Sequence, residues 1–141
     1  MSKFKVTKAF EATRTHHLQE AAEDYTELIA DLNAENGSAR VGEVAARLGI
    51  THVTALRTLR RLRRDGYVQD SKHSPLVLTP KGRRLAAVSK RRHEILLEFF
   101  SFIGVRASIA ATDVEGIEHH ISKQTLKAMQ AHMKCRSKSA S

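Results

Sequence analysis

The sequence predicts a mainly α fold, with a winged helix-turn-helix pattern in the first half and a purely helical second half. Three observations predict it. Only two prolines and seven glycines punctuate the 141 residues, which leaves room for long helices. Between those breaks, apolar residues recur at three- and four-residue spacing, the period of a helix with one packed side. A short helical stretch, a glycine turn and a second helical stretch then precede two brief extended runs, the order of a winged helix-turn-helix.

Residues 1–18 are basic, Thr-rich and weakly periodic, and are read as a mobile arm. From about Glu20 to Ala34 the pattern is helical, carried by Tyr25, Leu28, Ile29 and Leu32. Asn36-Gly37-Ser38 ends it, with a glycine suited to a left-handed cap. A short helix over Val41–Leu48 places Val44, Ala45 and Leu48 in one stripe, and Gly49 turns the chain. A third helix runs from about Thr51 to Asp65 and stops at Gly66. Tyr67-Val68-Gln69 and Leu76-Val77-Leu78 flank the polar stretch Asp70–Pro75, the pattern of a hairpin. Thr79-Pro80 then opens a helix, because Thr caps and Pro fits the first helical position. That helix is expected to reach Ile103, and Gly104 breaks it. Two more helices are expected at about Ala107–Ile121 and Lys123–Met133, with a frayed tail beyond. The division is thus a basic arm over 1–18, a winged-helix domain over 19–79, a helical domain over 80–135 and a tail over 136–141. Phe99, Phe100 and Phe102 cover more than one side of their helix, so a second subunit is the expected partner for that surface.

The formal net charge is +9, and it is concentrated. Residues 51–92 hold twelve Lys or Arg against two acids, Asp65 and Asp70. Such a segment suits a polyanion, because each phosphate neutralised by Lys or Arg releases a condensed counterion. Cys135 is the only cysteine, which rules out an intrachain disulfide and fits a reducing cytoplasm. No run of about 18 apolar residues is present, so no membrane span is expected. The basic N-terminus lacks the apolar core of a secretory signal.

In the helix-turn-helix pattern, Ala45 allows close crossing of two helices, and Ile50, Ala55, Leu59 and Leu62 are placed to pack inward. The N-terminal end of the second helix then faces a major groove of double-stranded DNA. His52, Val53, Thr54 and Arg57 are the candidates for base-edge contact, since Arg pairs two-pronged with guanine and a Val or Thr methyl meets that of thymine. Arg60, Arg61, Arg64 and the wing residue Lys72 are the candidates for phosphate. Leu56 fits this register poorly, which leaves a shift of one residue open.

Three distant stretches carry metal-ligating types. Asp24 and Glu27 are three apart and share a helical face, and His93 lies in the long helix. Glu115, Glu118 and His119 follow at i, i+3 and i+4, with His120 turned about 100° away from His119. Four carboxylates and two imidazoles form a hard, oxygen-rich set that suits Mn²⁺, with Fe²⁺ the near competitor. Each residue also has an ordinary reading, as a solvated acid or a hydrogen-bonded histidine.

Asp24-x-x-Glu27, Arg92-His93-Glu94 and Asp113-Val114-Glu115-Gly116-Ile117-Glu118-His119-His120 resemble the signatures of the diphtheria toxin repressor family, in its manganese-responsive branch. The resemblance runs from about Ala22 to the early 130s. It implies a winged-helix DNA-binding domain joined to a helical dimerisation domain, and a homodimer on a near-palindromic operator. By position, Asp24, Glu27, His93, Glu115, Glu118 and His119 become the ligands of a two-manganese cluster in each subunit. The iron-responsive branch tends to carry Met at the position of Asp24 and Cys at that of Glu118, so the carboxylates here favour manganese. The function so implied is repression of manganese uptake genes when manganese is plentiful. An iron-responsive repressor, a winged-helix regulator that senses no metal, and a dimetal helical enzyme are the alternatives. The enzyme reading has the least in its favour, because no nucleophile or oxyanion loop stands out and no small-molecule substrate is expected.

Overall fold

A computed structural model describes the backbone of residues 3–70 and 75–140, with side chains from Glu11 onward apart from Ala12. Six α-helices are present among these residues: α1 (Lys3–Asn36), α2 (Val41–Leu48), α3 (His52–Arg64), α4 (Pro80–Phe102), α5 (Ala107–Ile117) and α6 (Lys123–Ser139). A 3₁₀ turn over Glu118–His120 follows α5. The chain divides into two compact units, one through Ala87 and one from Val88.

In the first unit, Ala22, Tyr25, Ile29 and Leu32 put one side of α1 into the core. Val44 of α2 and Leu59 and Leu62 of α3 meet that stripe, and Val68, Leu76 and Leu78 close it from the extended segments. Gly49 makes the turn between α2 and α3 at φ 66°, a left-handed conformation that a side chain disfavours. The Ile50 amide donates back to the Ala45 carbonyl at 3.0 Å, which closes α2 and sends the chain into α3. Leu59 has no exposed surface. Leu59→Ala is expected to destabilise this unit by about 2–5 kcal/mol, read by urea denaturation, because the cavity adds to the lost transfer energy.

Four expectations need correction. The first helix begins at Lys3, not near Glu20, so the expected mobile arm is helical. Apolar periodicity marks only helices that pack, and residues 13–19 are exposed. The hairpin is reduced to a single antiparallel bridge, Val68 with Leu78, and no longer strand occurs among the described residues. Gln69 donates to the Val77 carbonyl, and Leu76 donates to the Ala39 carbonyl in the loop before α2. The fifth helix ends at Ile117 rather than Ile121, since Glu118–His120 tighten into the 3₁₀ turn. The last helix continues to Ser139 instead of fraying after Met133.

Thr79 fixes the entrance to α4. Its hydroxyl accepts from the Gly82 amide at 3.1 Å, satisfying a first-turn donor, and donates to the Gly66 carbonyl in the turn that ends α3. Its own amide donates to the Tyr67 carbonyl at 3.0 Å. Lys81 adds a bond from its ammonium to the Asp65 carbonyl and lies 4.3 Å from the centre of the Tyr67 ring.

In the second unit, α5 carries Ala110 and Val114 at four-residue spacing, and Glu118 continues that row one turn later; all three are buried. Ile95 and Leu96 of α4 are buried as well. Phe102, Ile103 and Ile109 remain exposed, an apolar surface on this unit considered alone. No helix among the described residues is long and apolar enough to cross a membrane.

Candidate metal centre and nucleic-acid interface

The α3 register follows from burial. Ala55, Leu59 and Leu62 are buried, Ile50 and Leu56 are half-buried, and His52, Val53, Thr54 and Arg57 are exposed. Leu56 therefore lies at the edge of the packed side, and no shift of register is required. Thr51 caps the helix by accepting from the Thr54 amide at 3.2 Å, and the two hydroxyls lie 2.8 Å apart. Val53 exposes 65% of its surface in the first turn, where a buried position would normally claim such a residue. Arg57, Arg60 and Arg64 project into solvent. Arg61 differs: it is half-buried, and Nη2 donates to the Leu18 carbonyl of α1 at 3.4 Å. Lys72 lies outside the described residues.

The acidic and imidazole candidates fall in both units. Asp24 and Glu27 stand three residues apart on α1 in the first unit, Asp24 exposed and Glu27 half-buried. His93, Glu115, Glu118 and His119 belong to the second unit, and there the structure brings three together. One donor atom each from His93, Glu115 and Glu118 lie within 4.8 Å of one another. Glu118 is the centre of this group, with only 6% of its surface exposed. His93 Nδ1 meets Glu118 Oε2 at 2.5 Å, and His119 Nε2 stands 3.6 Å from Glu118 Oε1. His120 is exposed.

This arrangement fits a divalent cation. A carboxylate removed from water is unfavourable unless opposite charge or hydrogen bonds surround it. Glu118 meets that condition with two imidazoles. Atoms bound to one ion at about 2.2 Å lie within roughly 4–5 Å of each other, which is the spread found here. The donors are oxygen and nitrogen only, the set that suits a hard or borderline divalent metal.

Arg92 also reaches the cluster, a contact the sequence reading did not anticipate. Its Nη2 lies 3.5 Å from His119 Nδ1. A guanidinium can only donate, so Nδ1 is the atom that would accept across this distance. The only signal in the sequence was a cation directly before His93, which a basic helix does not distinguish from its neighbours.

Two protein-family descriptions match the chain. Residues 17–76 match the N-terminal DNA-binding domain of the iron-dependent repressors, and residues 79–139 match the metal-binding and dimerisation domain of the same proteins. The transcriptional regulator MntR of Salmonella typhimurium is 42% identical over 124 residues, covering 88% of this chain and 79% of its own. The HTH-type transcriptional regulator MntR of Geobacillus kaustophilus is 42% identical over 100 residues, 71% of either chain. Among solved structures, a manganese-dependent transcriptional repressor in complex with manganese superposes with a TM-score of 0.71 at 28% identity. That match covers 80% of this chain and 52% of the other, so this chain spans about half the length of that repressor. The manganese regulator SloR, at 19% identity and a TM-score of 0.68, shares the fold over 80% of this chain and 53% of its own.

Proposed function

Because this chain belongs to the iron-dependent repressor family, we propose that it is a manganese-responsive transcriptional repressor, with Asp24, Glu27, His93, Glu115, Glu118 and His119 as its metal ligands. The observation that carries the proposal is the buried Glu118 carboxylate between His93 and His119, with Glu115 in ligating reach. Manganese rather than iron is supported by carboxylates at positions 24 and 118 and by the manganese-dependent repressor that shares the fold. The chain is a regulator and not an enzyme.

A bound divalent cation supplies positive charge that the carboxylates otherwise lack. The protein's own groups do the rest. Glu118 and Glu115 repel one another when ionised side by side, and His93 Nδ1 and Glu118 Oε2 would exchange their mutual contact for the cation if both were to hold it. His119 would hold the cation through one of its ring nitrogens, beside Arg92. Asp24 and Glu27 sit on α1 of the DNA-reading unit, so a metal that uses them biases that unit's conformation. By linkage, DNA raises metal affinity by the same factor that metal raises DNA affinity.

The reader of sequence is α3. His52, Val53, Thr54 and Arg57 meet base edges, and Arg60 and Arg64 meet phosphates, with Arg61 sharing its guanidinium with α1. The exposed Phe102, Ile103 and Ile109 supply a homodimer contact, which presents two α3 helices to a near-palindromic site. Arg57→Ala is expected to weaken operator binding by about 1–3 kcal/mol and to relax preference at one base pair, checked by competition with single-base operator variants.

The decisive experiment measures operator affinity across Mn²⁺, Fe²⁺, Zn²⁺ and Mg²⁺, with wild type beside Asp24→Ala. A manganese-dependent gain in wild type, absent in a folded Asp24→Ala protein, is the expected result. Equal affinity with and without metal in wild type overturns the proposal.

A further inference from the structure

Helix α1 begins fourteen residues before the family's DNA-binding domain match, which starts at residue 17. The segment in question, residues 3–16, contains Lys3, Lys5, Lys8 and Arg14 against a single acid, Glu11. It is continuous with the part of α1 that enters the core, so it is an extension of a fixed element rather than a tether. From Thr13 to Gln19 the side chains are exposed. A helix of this kind is either solvated or held by charge.

Its position within the first unit favours the second. The Leu18 carbonyl accepts from Arg61 of α3, so the extension starts beside the C-terminal half of the reading helix, where Arg60 and Arg64 are exposed. At 1.5 Å per residue it adds about 20 Å of basic helix to that surface. Duplex DNA carries one negative charge per about 1.7 Å of axis, so such a length passes several phosphates. We propose that residues 3–16 form a second, sequence-independent DNA contact, a helical rail that grips the sugar–phosphate backbone of the duplex read by α3. The proposal rests on the DNA-binding reading of α3 but not on the metal.

The test uses the full chain with Mn²⁺ and a 40-base-pair duplex of mixed sequence, because a backbone contact does not need an operator. Affinity is measured by fluorescence anisotropy from 50 to 300 mM salt, for wild type and for a variant carrying Lys3→Gln, Lys5→Gln, Lys8→Gln and Arg14→Gln. Circular dichroism checks that the helix is kept. The expected result is at least about tenfold weaker binding at 150 mM salt, with a log–log salt slope shallower by about two to three, near 0.9 for each phosphate lost. A chain lacking residues 2–15 should match the Gln variant. An unchanged slope in the Gln variant overturns the proposal, and so does a loss confined to the deletion, which would reveal a steric role. Loss of the manganese response with the slope difference intact would overturn the metal-sensing reading alone.

Discussion

Glu118→Gln removes the manganese response of operator binding while leaving the fold in place. Gln keeps the shape and can still hydrogen-bond His93, but the charge at the centre of the donor group is gone. Loss of groups that merely orient a ligand lowers metal affinity by about 10–100-fold, so removal of the central carboxylate should cost on the order of 100-fold or more. Calorimetric titration with Mn²⁺ reads the affinity, and anisotropy on operator DNA reads the response. Glu118 is 6% exposed, and a neutral amide relieves the penalty of burying its charge. Thermal stability of the metal-free variant should therefore equal or exceed that of wild type. A Glu118→Gln protein that binds Mn²⁺ and operator normally would end the assignment of this residue, and one that unfolds would show that the carboxylate is mainly structural.

Gly82→Ala should severely destabilise the first unit, although alanine ordinarily favours a helix over glycine by about 1 kcal/mol. A β-carbon at Gly82 would fall 2.1 Å from the Tyr67 carbonyl oxygen and 3.0 Å from its carbon. The obstacle is backbone, and it is held in place: Thr79 donates to that oxygen from its amide at 3.0 Å and from its hydroxyl at 3.2 Å. The first turn of α4 must move away or the turn after α3 must open, and either breaks several bonds together. The expected loss is about 3–5 kcal/mol, the range of severe core or backbone disruptions. Urea denaturation measures it, and a gain of stability would show that the turn after α3 yields to a side chain at this position without cost.

Much of the DNA-reading unit was legible because packing left a periodic trace. Ala55, Leu59 and Leu62 point inward as their spacing required, and Gly49 and Thr79 sit at the turn and cap that local chemistry assigned to them. The extension of α1 was not legible, since residues 13–19, which join it to the packed part of the helix, are exposed and carry no packed stripe. The close of the second unit was legible only in part. The helix and its Glu115, Glu118 and His119 face were read from spacing, but the burial of Ala110, Val114 and Glu118 in one row was not, and the switch to a 3₁₀ turn at Glu118 has no residue signature. Nor does the sequence show Arg92 beside His119, because that contact joins helices 27 positions apart.

The Thr79 hydroxyl joins the end of α3 and the start of α4 at one oxygen, so these two points should open in a single event. In native-state hydrogen exchange, the amides of Gly82 and Tyr67 would then share one opening free energy, and Thr79→Val would lower both equally while Thr79→Ser would spare them. The hinge between reading helix and following helix thus behaves as one latch, with a lone methyl-for-hydroxyl exchange enough to release it.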